Sequence, residues 1–235
     1  MSTPMPRTKL SRCNWSAHMN RALRGIRAVA FDVYGTLVRI EDPRRPYRKL
    51  LSLLQKMGRA PRSNDGALLM STPVTLSETS ALLGMPLQAE ALVGLEEDLA
   101  AELASIRLFD DALPAIEALR ASGVRIGLCS NLALPYAAPV DRLLPSLDAY
   151  AWSFSVGAVK PNPAIYAALC EALNEPPARV LMVGDTVTAD YEGPRDYGMQ
   201  ACHLVRGGSS AAEGRISQLT ELPGLLGFPG GWPRT

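Results

Sequence analysis

RAVAFDVYGT, Arg27 to Thr36, starts as a strand and stops at an acid. Ala28 to Phe31 are apolar without interruption, which suits a short strand covered on both faces. Asp32 therefore stands at the tip of that strand. An acid so placed suggests chemistry, and the residue two further on, Tyr34, decides what kind.

Outward from this stretch, strands and helices alternate. DDALPAIEALRASG (110–123) reads as a helix, with Leu113, Ile116 and Leu119 on one face and Gly123 at its C-terminal stop. RIGLCS (125–130) is a second strand, followed by a helix around 134–144. AWSFSV (151–156) reads as a third strand. PNPAIYAALCEAL (161–173) opens with prolines suited to a first helical turn. RVLMVGD (179–185) is the strongest strand of the chain; a helix near 189–198 and a last strand, CHLV (202–205), follow. Five apolar runs separated by helices predict an α/β fold, a doubly wound parallel sheet with helices on both faces.

The expected core comprises residues 27–39 and 108–210. Between its two parts, residues 40–107 predict a helical insertion. RRPYRKLLSLLQKMG (44–58) is helical, and LQAEALVGLEEDLAAELASI (87–106) is an amphipathic helix carrying Leu92, Leu95, Leu99, Leu103 and Ile106. Residues 58–75 are the least regular part. Residues 1–26 form a basic tail, expected to be flexible or to precede the true start, with Met19 close before the first strand. Residues 211–235 read as a C-terminal extension.

Composition excludes several classes. The 24 basic and 23 acidic residues nearly cancel, giving no reason to expect nucleic acid as a partner. No apolar run is long enough to cross a membrane. Cys13, Cys129, Cys170 and Cys202 show no CxxC pair, and three lie in apolar segments. Buried free thiols in a reducing, cytoplasmic setting are expected. The expected partner is a small-molecule substrate; the sequence does not give the oligomeric state.

In parallel α/β sheets, ligands bind beyond the carboxyl ends of the strands. There the chain places Asp32, Ser130-Asn131, Lys160 and Gly184-Asp185, with Asp190 five residues on. Singly, each admits a structural account. A strand-end aspartate caps helices, and Ser-Asn forms turns. Lys160 is the least bland, because a cation just before a helix N-terminus opposes the macrodipole. Carboxylates nearby, or an anionic substrate, would offset that. Four strand ends bearing compatible groups in this order argue for a site.

The order FDVYGT, CSN, VKPNP and VGDTVTAD resembles the haloacid dehalogenase superfamily of hydrolases, over about residues 27 to 207. The resemblance implies that Asp32 is a nucleophile forming a covalent aspartyl intermediate. It implies that Thr36 and Ser130 orient that nucleophile or bind the substrate anion, and that Lys160 offsets charge. Asp32, the Tyr34 backbone carbonyl, Asp185 and Asp190 would hold Mg2+, and the insertion would be the family's cap domain. Oxygen-only ligands suit a hard cation.

Tyr34 departs from the family's phosphatases, which usually carry an aspartate there as general acid and base. A phenol with a pKa near 10 serves neither task well at neutral pH. The family's 2-haloacid dehalogenases do carry DxYGT and a Ser-Asn like Ser130-Asn131. They also work without metal, use serine at the position of Asp185, and place an arginine early in the cap inside a WRxKQLEY-like stretch. No such stretch occurs here; Arg59 and Arg62 fall at a comparable distance and read as solvated surface. Three readings follow. The first is a Mg2+-dependent hydrolase of a small phosphorylated compound with a good leaving group. The others are a metal-independent 2-haloacid dehalogenase and a catalytically weak ligand-binding protein on the same fold. Retention of Asp185 and Asp190 beside Asp32 favours the first, because three carboxylates together repel without a cation.

Overall fold

A computed structural model of the chain describes residues 23, 25–208 and 214–227. Its strands are β1 (Ala28–Phe31), β2 (Val38–Ile40), β3 (Ile106–Leu108), β4 (Arg125–Ser130), β5 (Ala149–Trp152), β6 (Val180–Gly184), β7 (Gln200–Leu204) and β8 (Arg215–Ile216). Six of them form a sheet in the order β5-β4-β1-β6-β7-β8, with every neighbouring pair parallel. The fold is thus α/β with a helical insertion. β1 lies centrally, with β4 on one side and β6 on the other; Ala30 stands opposite both Gly127 and Met182. The winding reverses there, which opens a crevice beyond the end of β1, where Asp32 sits.

Alternation along the strands feeds two cores. Val29 and Phe31 join Ile126, Leu128, Leu181 and Val183 against Ile116 and Leu119. Ala28 and Ala30 join Cys129, Val180 and Met182 on the other face, against Ile165, Tyr166, Leu169 and Leu173. The helix carrying those four, Pro163–Leu173, starts as its sequence dictates: Asn162 accepts a hydrogen bond from the Ala164 amide at 3.0 Å and Pro163 opens the first turn. Cys129, Cys170 and Cys202 are buried free thiols. Burial pushes Cys129 and Cys202 up to about 12, so both stay protonated and inert. No helix among the described residues is long and apolar enough to cross a membrane.

The insertion leaves the core along an antiparallel ribbon, β2 with β3, pairing Val38 with Leu108 and Ile40 with Ile106. Its helices are α1 (Pro46–Lys56), α2 (Asp65–Met70), α3 (Leu76–Leu82) and α4 (Ala89–Ala104). They share an apolar centre of Leu50, Leu54, Leu76, Leu83, Leu92, Leu95 and Leu99. Thr75 starts α3 with a capping box, bonding reciprocally with Glu78.

Four segments differ from the sequence reading. AWSFSV is half strand and half helix: β5 ends at Trp152 and Ser153–Val156 coil into a turn closed by Gly157. A short apolar run suits either state, and the Ser153 hydroxyl, bonded to the Leu132 amide at 3.0 Å, turns the chain. The ribbon β2/β3 was not expected, because three-residue strands leave little periodicity to read. Part of the expected C-terminal extension joins the core instead, with β8 on the sheet edge and Ile216, Leu219 and Leu222 buried. Met19 and most of the basic tail lie outside the described residues; at the tail's end Leu23 and Ile26 are buried in the core.

The fourth difference is Arg59. Arg62 is exposed as expected, whereas Arg59 is half-buried in a bidentate pair with Asp65 at 2.7 and 2.6 Å. Its Nε donates to the Leu83 carbonyl at 2.8 Å. The pair gives the irregular segment its anchor. The Arg59 hydrogen bonds outweigh burial and lower the Asp65 pKa from 3.8 to about 2. Asp65 therefore stabilises the fold fully above its unfolded pKa of about 3.9, and the contribution fades as pH falls through its folded value. Asp65→Asn is expected to unfold at lower urea than the wild type at pH 7. The gap should shrink as pH drops from about 4 to about 2, as followed by urea unfolding across pH.

Candidate active site

Three strand ends meet at one ammonium. Lys160, 5% exposed, lies in the loop before the helix Pro163–Leu173. Its Nζ donates to Asp32 Oδ1 at 2.8 Å, to Asp190 Oδ1 at 2.6 Å and to the Cys129 carbonyl at 2.7 Å. All three ammonium hydrogens are thereby used. Burial would lower the Lys160 pKa, but Asp32 and Asp190 more than reverse that and keep it charged. The backbone of Lys160 is held just as firmly. Its amide donates to Asn131 Oδ1 at 2.7 Å, and Asn131 Nδ2 donates to its carbonyl at 2.9 Å.

Asp32 sits just past β1, with its amide donating to the Val183 carbonyl at 2.9 Å. Ser130 Oγ, at the end of β4, donates to Asp32 Oδ1 at 3.0 Å. Two donors on one oxygen fix the plane of the carboxylate. Asp190 lies in a wide π-helical turn, Val187–Glu192, and its Oδ2 accepts from the Thr186 amide at 3.0 Å. Such turns recur at functional sites because they redirect a side chain without ending the helix.

Carboxylate oxygens of Asp32, Asp185 and Asp190 lie within 4.8 Å of one another. Burial raises Asp190, with Lys160 pulling the other way. Desolvation and then the Asp32 charge raise Asp185. Three carboxylates face one ammonium, and a hard cation held by their oxygens would balance them. The backbone around them is built for close approach. A Cβ on Gly35 would lie 2.2 Å from Asp185 Oδ2, and its φ of +90° already excludes most side chains. A Cβ on Gly184 would lie 2.4 Å from the Asp190 carboxyl carbon. The donor set and its spacing fit a hard divalent cation.

Thr36 is fully buried, and among the described residues its Oγ1 has no hydrogen-bond partner. Tyr34 points its hydroxyl away from a catalytic task. It donates to the Tyr136 carbonyl at 2.8 Å and packs edge-on against that ring at 5.7 Å. Burial, and then Glu102, raises its pKa well above the ordinary phenol value. A phenol so placed neither releases its proton to a leaving group nor accepts one from water at neutral pH.

Sequence reasoning passes over Arg206, which holds the loop bearing Gly35 and Thr36. Its guanidinium donates to the Thr36 carbonyl at 2.5 Å and the Gly35 carbonyl at 3.3 Å. It also forms a bidentate pair with Asp111 at 3.1 and 2.9 Å and lies 3.7 Å over the Phe109 ring. It stands just past β7, so the strand-end rule that singles out Lys160 would have reached it.

A model of the haloacid dehalogenase-like hydrolases matches residues 26–198. The chain belongs to the haloacid dehalogenase-like hydrolases. Among relatives, a phosphatase of Mycobacterium tuberculosis is 32% identical over 123 residues, which span 50% of this chain and 55% of that protein. Among solved structures, a phosphatase from Thermococcus onnurineus is 24% identical with a TM-score of 0.58, covering 86% of this chain and 98% of its own. The L-2-haloacid dehalogenase of Xanthobacter autotrophicus is 20% identical with a TM-score of 0.57, covering 87% and 100%. A hydrolase from Bacillus subtilis, solved with magnesium bound, gives 17% and 0.59 over 86% and 99%. Phosphatases and dehalogenases of this family thus share the fold with this chain, and the choice between them rests on the site.

Asn131→Ala removes both hydrogen bonds that hold the Lys160 backbone. The expected cost is about 2 kcal/mol, since part of each buried peptide group is left unpaired. Urea unfolding at pH 7 measures it; a midpoint unchanged from wild type would mean that Lys160 is held by other contacts.

Proposed function

We propose that this hydrolase uses Asp32 as a nucleophile, with Mg2+, on a small phosphorylated compound whose leaving group departs without a proton. An acyl phosphate is the model case. The grouping of Asp32, Asp185 and Asp190 around Lys160 carries this reading. The phosphatase relative adds support, although the aligned stretch covers about half of each chain.

In this reading Asp32, Asp185, Asp190 and the Tyr34 backbone carbonyl hold Mg2+. When bound, the ion offsets the repulsion between a carboxylate nucleophile and a phosphate dianion. Lys160 and Ser130, both donating to Asp32 Oδ1, hold the carboxylate oriented for attack. An Asp32 oxygen bonds to phosphorus as the bond to the leaving group breaks, and the leaving carboxylate takes the electron pair. Water then attacks the phosphorus of the aspartyl phosphate, the bond between phosphorus and the Asp32 oxygen breaks with its electron pair returning to the carboxylate, and the protons of the water leave on the released phosphate. Asn131 keeps Lys160 in place, and Thr36 and Ser130 supply hydroxyls to the substrate anion or the nucleophile. Tyr34, committed to the Tyr136 carbonyl, protonates nothing.

The dehalogenase reading keeps one observation in its favour. A halide also leaves without a proton, so Tyr34 suits it equally. Against it, Arg59 is occupied by Asp65 and the Leu83 carbonyl rather than open to a substrate carboxylate. The third acid, Asp185, would also be unused.

Four measurements test the proposal. With Mg2+, acetyl phosphate should release phosphate, and EDTA or Asp32→Asn should abolish it; release that survives both sinks the proposal. Alkyl phosphates should turn over about 100-fold more slowly, the lower end of what a general acid contributes. Tyr34→Asp should narrow that gap. Halide release from 2-chloropropionate without metal, and no phosphate release, would favour the dehalogenase instead.

A further inference from the structure

We propose that Glu102 and Tyr136 are positioning residues that latch the helical insertion down over Asp32, with Tyr34 as the core-side anchor. Glu102 lies on α4, whose other buried positions are Leu92, Leu95 and Leu99. It is only 3% exposed. A carboxylate is costly to bury and persists where it holds donors that nothing else satisfies. Its Oε1 accepts from the Tyr136 hydroxyl at 2.5 Å, and its Oε2 accepts from the Arg45 amide at 2.6 Å.

Each partner belongs to a different part of the molecule. Arg45 immediately precedes α1 and sits in the left-handed region, at φ 58° and ψ 53°. A non-glycine residue there is strained and needs an outside hold. Glu102 supplies one and so ties the first helix of the insertion to the last. Tyr136 belongs to the core loop after β4, and its carbonyl accepts the Tyr34 hydroxyl. A continuous path therefore runs from Arg45 through Glu102 and Tyr136 to Tyr34, two residues from the nucleophile. Tyr136 also packs against both the core cluster and the cluster of the insertion.

Two further contacts mark where the insertion would swing. Ser105 accepts the Asp42 amide on its hydroxyl at 3.0 Å and donates that hydroxyl to the Glu102 carbonyl at 2.8 Å. These bonds tie the two connecting segments together at the base. At the far side, Ser153 Oγ donates to the Met70 carbonyl at 2.6 Å, a single neutral bond. The charged, branched contact at Glu102 is the stronger hold.

The kinetic consequence rests on the hydrolase reading above; the latch itself is read from amide hydrogen exchange on the whole chain. In Tyr136→Phe and in Tyr34→Phe, the Glu41, Asp42 and Arg45 amides should exchange about tenfold faster, with β1 and β6 amides unchanged. In Tyr136→Phe, kcat/KM for acetyl phosphate should fall about tenfold, because a loosened cap no longer commits the substrate. The Mg2+ concentration giving half-maximal rate should not move. Faster exchange throughout the sheet would show general destabilisation and overturn the latch, as would unchanged exchange at Arg45. Faster exchange at Arg45 with no phosphate release even by the wild type would keep the latch and reject the hydrolase reading.

Discussion

The rest of the structure depends on the ammonium of Lys160. It draws together groups from the ends of three adjacent strands: Asp32 after β1, the Cys129 carbonyl in β4, and Asp190 after β6. The order β4-β1-β6 brings those ends within reach of one side chain. A buried ion pair adds little net stability by itself, but breaking one leaves an uncompensated charge at a cost of about 3–5 kcal/mol. The strand order and the charge arrangement therefore enforce one another.

Close approach is the second constraint. The carboxylates gather because the backbone beside them lacks side chains, at Gly35 against Asp185 and at Gly184 against Asp190. Arg206 then fixes the Gly35–Thr36 loop through its carbonyls, with its own charge answered by Asp111. Asp111 also accepts the Leu219 amide at 2.8 Å, which ties the segment after β8 to the same pair. The loop after Asp32 is thus pinned from behind by residues distant in sequence.

The core and the acidic cluster were legible because each depends on local signals. Apolar runs reveal the main strands, and the strand-end rule picks out Asp32, Ser130, Lys160 and Asp185. The structure brings Asp32, Ser130, Asn131, Lys160 and Asp190 into one hydrogen-bonded group, with Asp185 beside it. What could not be read was any partnership between distant residues. Arg59 looks solvated until Asp65 folds back onto it. Glu102 shares the buried face of α4 with Leu95 and Leu99, but its partners Tyr136 and Arg45 lie too far along the chain to be read from sequence. β8 is too short, and β2 and β3 too brief, to carry a periodic signal.

Tyr34 shows why such partnerships matter for function. By residue type it reads as a missing acid, and its neighbours in the chain cannot revise that. Its hydroxyl is nonetheless fully employed, donating to the Tyr136 carbonyl within a network that reaches the insertion. An aspartate at position 34 would be too short to reach that carbonyl and, when ionised, would have no proton to donate to it. The same position therefore cannot serve both as proton donor to a leaving group and as donor to the Tyr136 carbonyl. In the reading proposed above, a site that keeps the anchor is restricted to groups that leave as stable anions. If the proposed function holds, the leaving-group preference follows from how the insertion is held, and the choice of substrate is coupled to the latch at Glu102.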